Sequence, residues 1–118
     1  MKKIYRLRSN MEFKKVYNGG KSYWNRNLVL YVKKNDIGNT RVGYSITKKI
    51  GNSVVRNKIR RRMKEIYRLN FNGVKSNYDL IFIPKRNTID ISYKELESAM
   101  LHILKIANVL KGQSGKNG

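Results

Sequence analysis

An α+β sandwich, helices packed on one small central sheet, is predicted by three observations. Apolar residues recur at helical spacing from Val55 to Tyr67 and again from Leu96 to Leu110. Two short apolar runs, Leu28 to Val32 and Tyr78 to Ile83, are rich in β-formers and too brief for helices. No internal repeat and no linker interrupts them, so residues 1–112 read as a single domain and residues 113–118 as a frayed tail. The expected order of elements is α-β-β-α-β-α, with room for one extra strand.

Ser9 or Asn10 can cap a first helix over roughly Met11 to Asn18, with Phe13, Val16 and Tyr17 on one side and Gly19-Gly20 ending it. Lys21 to Trp24 carries too thin a signal to assign. Leu28 to Val32 is the first strand. Residues 33–39 (KKNDIGN) form a hairpin-like connection, with an Asn and a Gly for turn chemistry. Arg41 to Thr47 is the next strand, with Val42, Tyr44 and Ile46 alternating against Gly43, Ser45 and Thr47. After a basic turn at Lys48 to Asn52, Asn52 or Ser53 caps a long helix running to about Leu69. Asn70 to Asn77 is a loop, Tyr78 to Ile83 a buried strand stopped by Pro84, and Ser92 with Glu95 makes a capping box for a last helix ending at Gly112.

The chain has 118 residues and a formal net charge of +20, from 27 Lys+Arg against seven Asp+Glu. Self-repulsion on that scale is relieved by a polyanionic partner. A hydrophobic fraction of 40% is too high for a basic tail disordered throughout. The absence of cysteine excludes a disulfide framework and a thiol nucleophile and fits a cytoplasmic setting. The N-terminus lacks the apolar segment of a secretory signal, and no run of about 18 apolar residues exists to span a bilayer, so no membrane role is expected.

Charge concentrates between residues 41 and 68, where Arg41, Lys48, Lys49, Arg56, Lys58, Arg60, Arg61, Arg62, Lys64 and Arg68 face the single acid Glu65. The ladder Val55, Ile59, Met63, Ile66 and Tyr67 lets one helix face be buried, while Asn57, Arg60, Arg61, Lys64 and Arg68 fall on the far side. A solvated cationic face is the ordinary meaning of scattered lysines, but arginine dominates here and its planar fork suits phosphate oxygens. Lys48, Lys49 and Asn52 stand before a helix N-terminus, where backbone N–H groups also favour phosphate; Asn52 serves equally well as a plain cap. Phe13, Tyr17 and Tyr31 fit either a core or a platform for unpaired bases. Trp24, in a polar setting, reads as a surface contact. His102 has no visible catalytic partner. The acids are scattered, Glu65 being placed to pair with Arg61 or Arg62, and no DxD or HxE pattern supports a metal nuclease site on the protein.

The stretch RVGYSITKKIGNSVVRNKIRRRMKEIYR, with FKKVY and NRNLVLYV upstream, resembles the signature of the bacterial ribonuclease P protein subunit, over most of the chain except its last twenty or so residues. In that family an RNA is the catalyst, cutting the 5′ leader from precursor tRNA by magnesium-dependent hydrolysis. The resemblance implies a chain with no catalytic residues and no metal ligands of its own, with Mg2+ bound mainly by the RNA subunit. It implies RNA-subunit contacts from Arg56, Asn57, Arg60, Arg61 and Lys64, with Lys48, Lys49 and Asn52 in the turn before them and Arg68 further along the same face. It places Phe13, Tyr17 and Tyr31 in a cleft for the single-stranded leader. Tyr17 stands where phenylalanine is common, Arg60 where lysine is, and Lys64 where arginine is. The partners implied are the catalytic RNA and precursor tRNA, with no obligate protein partner. A left-handed βαβ crossover is also implied, against the right-handed form found in about 98% of such connections. A ribosomal or other RNA-binding module is the rival expectation.

Overall fold

A computed structural model describes residues 2–113; most of the expected tail, residues 114–118, lies outside them. The elements in chain order are α1 (Asn10–Gly19), β1 (Lys21–Trp24), β2 (Leu28–Lys34), β3 (Arg41–Tyr44), α2 (Ser53–Asn70), β4 (Tyr78–Pro84) and α3 (Tyr93–Ile106). The extra strand is β1, the segment whose sequence carried no clear signal. It is a short edge strand with only Tyr23 partly covered, so no apolar alternation marks it.

The four strands lie in the order β1-β2-β4-β3. The expected hairpin between β2 and β3 does not form: β4 lies between them, antiparallel to β2 along its whole length and parallel to β3. Turn chemistry is present in the connection all the same. Asn35 Oδ1 accepts from Ile37 N at 3.1 Å, and Gly38 takes φ 94°. What decides the pairing is the apolar run of β4, which buries both of its faces only in the middle of the sheet. The β3–α2–β4 connection is a βαβ crossover between adjacent parallel strands.

Alternation along the strands separates two cores. Leu28, Leu30, Val32, Val42, Leu80 and Phe82 face α2 and α3, meeting Ile59, Met63, Ile66 and Tyr67 from the one and Leu96, Met100, Ile103 and Leu104 from the other. The opposite face carries α1 alone, over a small cluster of Leu7, Val16 and Ile81. Both outer helices begin with capping boxes, Ser9 with Glu12 and Ser92 with Glu95. The last helix stops at Ile106, earlier than its apolar spacing suggests. Asn108 turns left-handed at φ 59°, and the chain folds back so that Lys75 N donates to Val109 O and Leu110 bridges Val74. Ala107 and Val109 are buried in that return rather than in a further helical turn.

Candidate nucleic-acid interface

The basic face of α2 is held in place by its apolar stripe and its cap. Asn52 Oδ1 accepts from Val55 N at 3.0 Å, so the capping role of Asn52 is real and its oxygen is committed to it. Lys48 and Lys49 are exposed on a 3-10 turn just ahead. That turn ends at Gly51, whose φ of 153° is a conformation glycine adopts freely, and Arg56 Nη1 donates to its carbonyl at 3.1 Å. Arg60 Nη1 donates to Asn57 Oδ1 at 2.9 Å, fixing that pair one turn apart. Glu65 pairs with Arg68 at 2.8 Å, not with Arg61 or Arg62 as its sequence position suggested. Arg61, Lys64 and Arg68, with Glu65, line a groove of about 260 Å³ whose other wall is Arg6, Val42 and Tyr44.

A second recess, of about 560 Å³, opens on the α1 side between Asn10, Phe13, Lys14, Tyr17, Tyr44 and Ser45. Phe13, Tyr17 and Tyr31 are all half-buried, packed against the Leu7–Val16–Ile81 cluster, neither fully in the core nor fully exposed. Tyr17 and Tyr31 meet edge to face with centroids 4.9 Å apart. Phe13 lies against β3 because residue 43 has no side chain; a Cβ there would sit 2.5 Å from Phe13 Cζ and 3.2 Å from Leu7 Cβ. Gly43→Ala is therefore expected to displace the Phe13 ring and cost about 1–3 kcal/mol, read by urea unfolding. An unchanged midpoint would show that the ring moves aside freely.

Tyr44 lines both recesses. Its ring stacks on Phe82 at 6.0 Å, and burial pushes its phenol well above the ordinary tyrosine range, so it is a neutral hydroxyl at any working pH.

Arg41, counted among the basic residues of the central stretch, belongs to neither surface. It reaches under α1, where Nε and Nη2 grip Asp79 at 2.9 and 2.8 Å and Nη1 donates to Glu12 Oε2 at 2.8 Å. Asp79, 5% exposed, also accepts from Asn35 Nδ2 at 2.8 Å. The other oxygen of Glu12 accepts the backbone N–H of Arg8 and Ser9, at 2.6 and 3.1 Å. Those hydrogen bonds, the one from Arg8 foremost, and the Arg41 charge hold the Glu12 carboxyl below its usual range. The network ties the start of α1 to β3 and β4.

The sequence model of the ribonuclease P family matches residues 1–108 of this chain. The chain belongs to the ribonuclease P protein family. It is similar to the ribonuclease P protein component of Finegoldia magna, with 50% identity over 113 residues that cover 96% of this chain and 99% of the relative. Against the same component from Alkaliphilus oremlandii the identity is 46% over 110 residues, covering 93% and 96%. Among solved structures, the Staphylococcus aureus RNase P protein aligns with a TM-score of 0.83 at 34% identity, covering 91% of this chain and 98% of that one. The Thermotoga maritima RNase P protein aligns with a TM-score of 0.79 at 28% identity, covering 86% and 96%.

In this ribonuclease P chain the expected basic residues of α2 share one helix but not one pocket. Arg61, Lys64 and Arg68 converge on the groove, the Asn57–Arg60 pair stands on the helix surface, and Arg56 turns back to the loop. Arg6 and Tyr44 are additions that sequence reasoning missed. Arg6 enters through a single parallel bridge to Val42, which leaves no periodic signal. Tyr44 reads as an ordinary inward position of its strand. His102 is exposed, with Nδ1 3.3 Å from Asn25 Nδ2 and no carboxylate partner among the described residues. Among the described residues no three of His, Cys, Asp and Glu form a group able to hold a metal ion, and no helix is long and apolar enough to cross a membrane.

Proposed function

We propose that this chain is the protein subunit of ribonuclease P, gripping the catalytic RNA with α2 and the 5′ leader of precursor tRNA in the α1 cleft, while the RNA breaks the phosphodiester bond. The observation that carries the reading is the pairing of two recesses of different chemistry around Tyr44, one lined by Arg6, Arg61, Lys64 and Arg68 and the other by Phe13 and Tyr17. Arginines held by a packed helix suit the phosphates of a folded RNA, and half-exposed rings suit unpaired bases. Holding both partners at once places the scissile phosphate against the RNA's own catalytic centre, an effect of positioning. Four of the seven carboxylates serve structure: Glu12 and Asp79 hold Arg41, Glu65 holds Arg68 and Glu95 caps α3. The scattered carboxylates of the described residues form no cluster suited to a cation, and the magnesium of the reaction is left with the RNA, with no step derived through it. A cytoplasmic setting follows from the substrate.

The test mixes pure protein, precursor tRNA and the RNA subunit in all combinations at low magnesium. Cleavage is expected with RNA and protein together and not with protein alone. Processing by protein alone would overturn the assignment of chemistry to RNA, and no effect on the ribozyme would leave an RNA-binding module of another kind. Phe13→Ala is expected to weaken precursor tRNA more than mature tRNA by roughly the 1–3 kcal/mol of one base stack, read by equilibrium binding to the reconstituted holoenzyme. Equal losses would return Phe13 to a purely structural role.

A further inference from the structure

Trp24 is the single tryptophan of the chain and 61% exposed. One exposed aromatic on a surface is ordinary. The way this one is placed and held is not. In the sheet register Trp24 stands opposite Val29, and Ser22 stands opposite Tyr31. Alternation therefore puts Ser22, Trp24, Val29, Tyr31, Ile81 and Ile83 on the face that carries α1. Trp24 Nε1 donates to Ser22 Oγ at 3.2 Å, which lays the indole back along β1 toward the row that Tyr31 occupies. Diagonal neighbours on adjacent strands lie about 7–8 Å apart, within the reach of adjacent nucleotides in an extended single strand.

The ring also has a cationic neighbour. Lys85 Nζ lies 5.3 Å from its centroid and donates to Asn25 O at 2.6 Å. The turn that follows is clamped, Asn25 Oδ1 accepting from Asn27 N and Leu28 N at 3.0 and 2.8 Å while Asn25 Nδ2 donates to Ala99 O at 2.9 Å. A large flat ring, tethered by one hydrogen bond and a lysine at the open end of an aromatic row, has less freedom to lose on binding than an untethered one.

We propose that Trp24 is a base-stacking position, extending the cleft from Tyr31 to the β1 edge and taking one more unpaired nucleotide of the leader, with Lys85 beside its phosphate. This rests on the leader-binding reading above and lengthens its footprint. The ligand is a single-stranded nucleotide without base preference, because stacking on indole accepts any base and the surrounding charge favours a phosphodiester chain.

The experiment uses holoenzyme reconstituted with the RNA subunit and unmodified precursor tRNAs whose leaders are shortened one nucleotide at a time. Binding is measured for the native protein, Trp24→Ala and Trp24→Phe, and the native indole fluorescence is followed without any label. The expected result is that Trp24→Ala weakens long-leader substrates roughly five-fold or more, while Trp24→Phe retains most of the affinity. Below a threshold leader length native and Trp24→Ala should bind alike, and quenching of the indole should vanish at that same length. Thermal melts of the variants are expected to match the native protein, since the ring is largely in solvent. An equal loss on every leader and on mature tRNA, or no loss and no quenching on any, overturns the proposal. Native affinity that depends on leader length in a way Trp24→Ala reproduces overturns the proposal alone. Native affinity with no leader dependence removes the leader reading and this extension together.

Discussion

Replacing Arg41 by methionine is expected to be among the most damaging single changes in this chain, on the order of 3 kcal/mol by chemical denaturation. The guanidinium side chain is 21% exposed and bonds two carboxylates; without it Asp79 is left as a buried charge whose remaining partner is the neutral amide of Asn35. Arg41→Lys should lose less but not recover, because an ammonium keeps the charge and forfeits the two-pronged grip on Asp79. Combining Arg41→Met with Asp79→Leu should cost less than Arg41→Met alone, since the orphaned charge goes with it. Additive losses would show that the network contributes little beyond packing. The same network predicts an acid limit. The folded-state pKa of Glu12 is depressed, so its contribution is complete above the ordinary carboxylate range and is lost as pH falls through the lowered value. The native protein should therefore lose stability as pH drops below about 4.5, and Glu12→Gln should flatten that part of the profile. An identical profile for Glu12→Gln would assign the acid limit to other carboxylates.

The second large effect concerns binding. Removing the groove charges together, as Arg61→Ala, Lys64→Ala and Arg68→Ala, should weaken the RNA subunit and make the plot of log affinity against log salt less steep by roughly 2 to 3. All three side chains are exposed, so folding stability should change by no more than about 0.5 kcal/mol for each. The control is Lys94→Ala, Lys105→Ala and Lys111→Ala, which removes the same formal charge from exposed positions on and after α3. That triple should leave the slope nearly unchanged. Equal slopes for the two triples would mean that RNA responds to overall charge and not to the groove.

Much of this was legible in the sequence where the controlling forces are local. The stripe from Val55 to Tyr67, the cap at Asn52 and the box at Ser92 and Glu95 each depend on residues three or four apart, and each formed as read. Pairing between strands is not local, which is why residues 33–39 hold a genuine turn and yet join strands that never touch. The spacing of Ala107 and Leu110 suits a helix and suits equally a chain that stops at its C-cap, Ala107, and folds back to a single bridge between Leu110 and Val74. Arg41 was counted with the cationic stretch because composition counts charges without their directions. The half-buried aromatics were ambiguous for a related reason: a ring that rests on a small cluster and still meets solvent has the spacing of a core residue.

The place of β4 in the sheet bears on how the molecule comes into being. Its neighbours on either side, β2 and β3, are both made earlier, so a nascent chain exposes two unsatisfied strand edges until residues 78–84 clear the exit and slide between them. During that interval α2, already translated and densely cationic, has only the β1–β2 pair and an unjoined β3 to rest on. Completion of the sheet thus waits for β4, and the polyanion that α2 suits can meet the helix before the scaffold beneath it is complete.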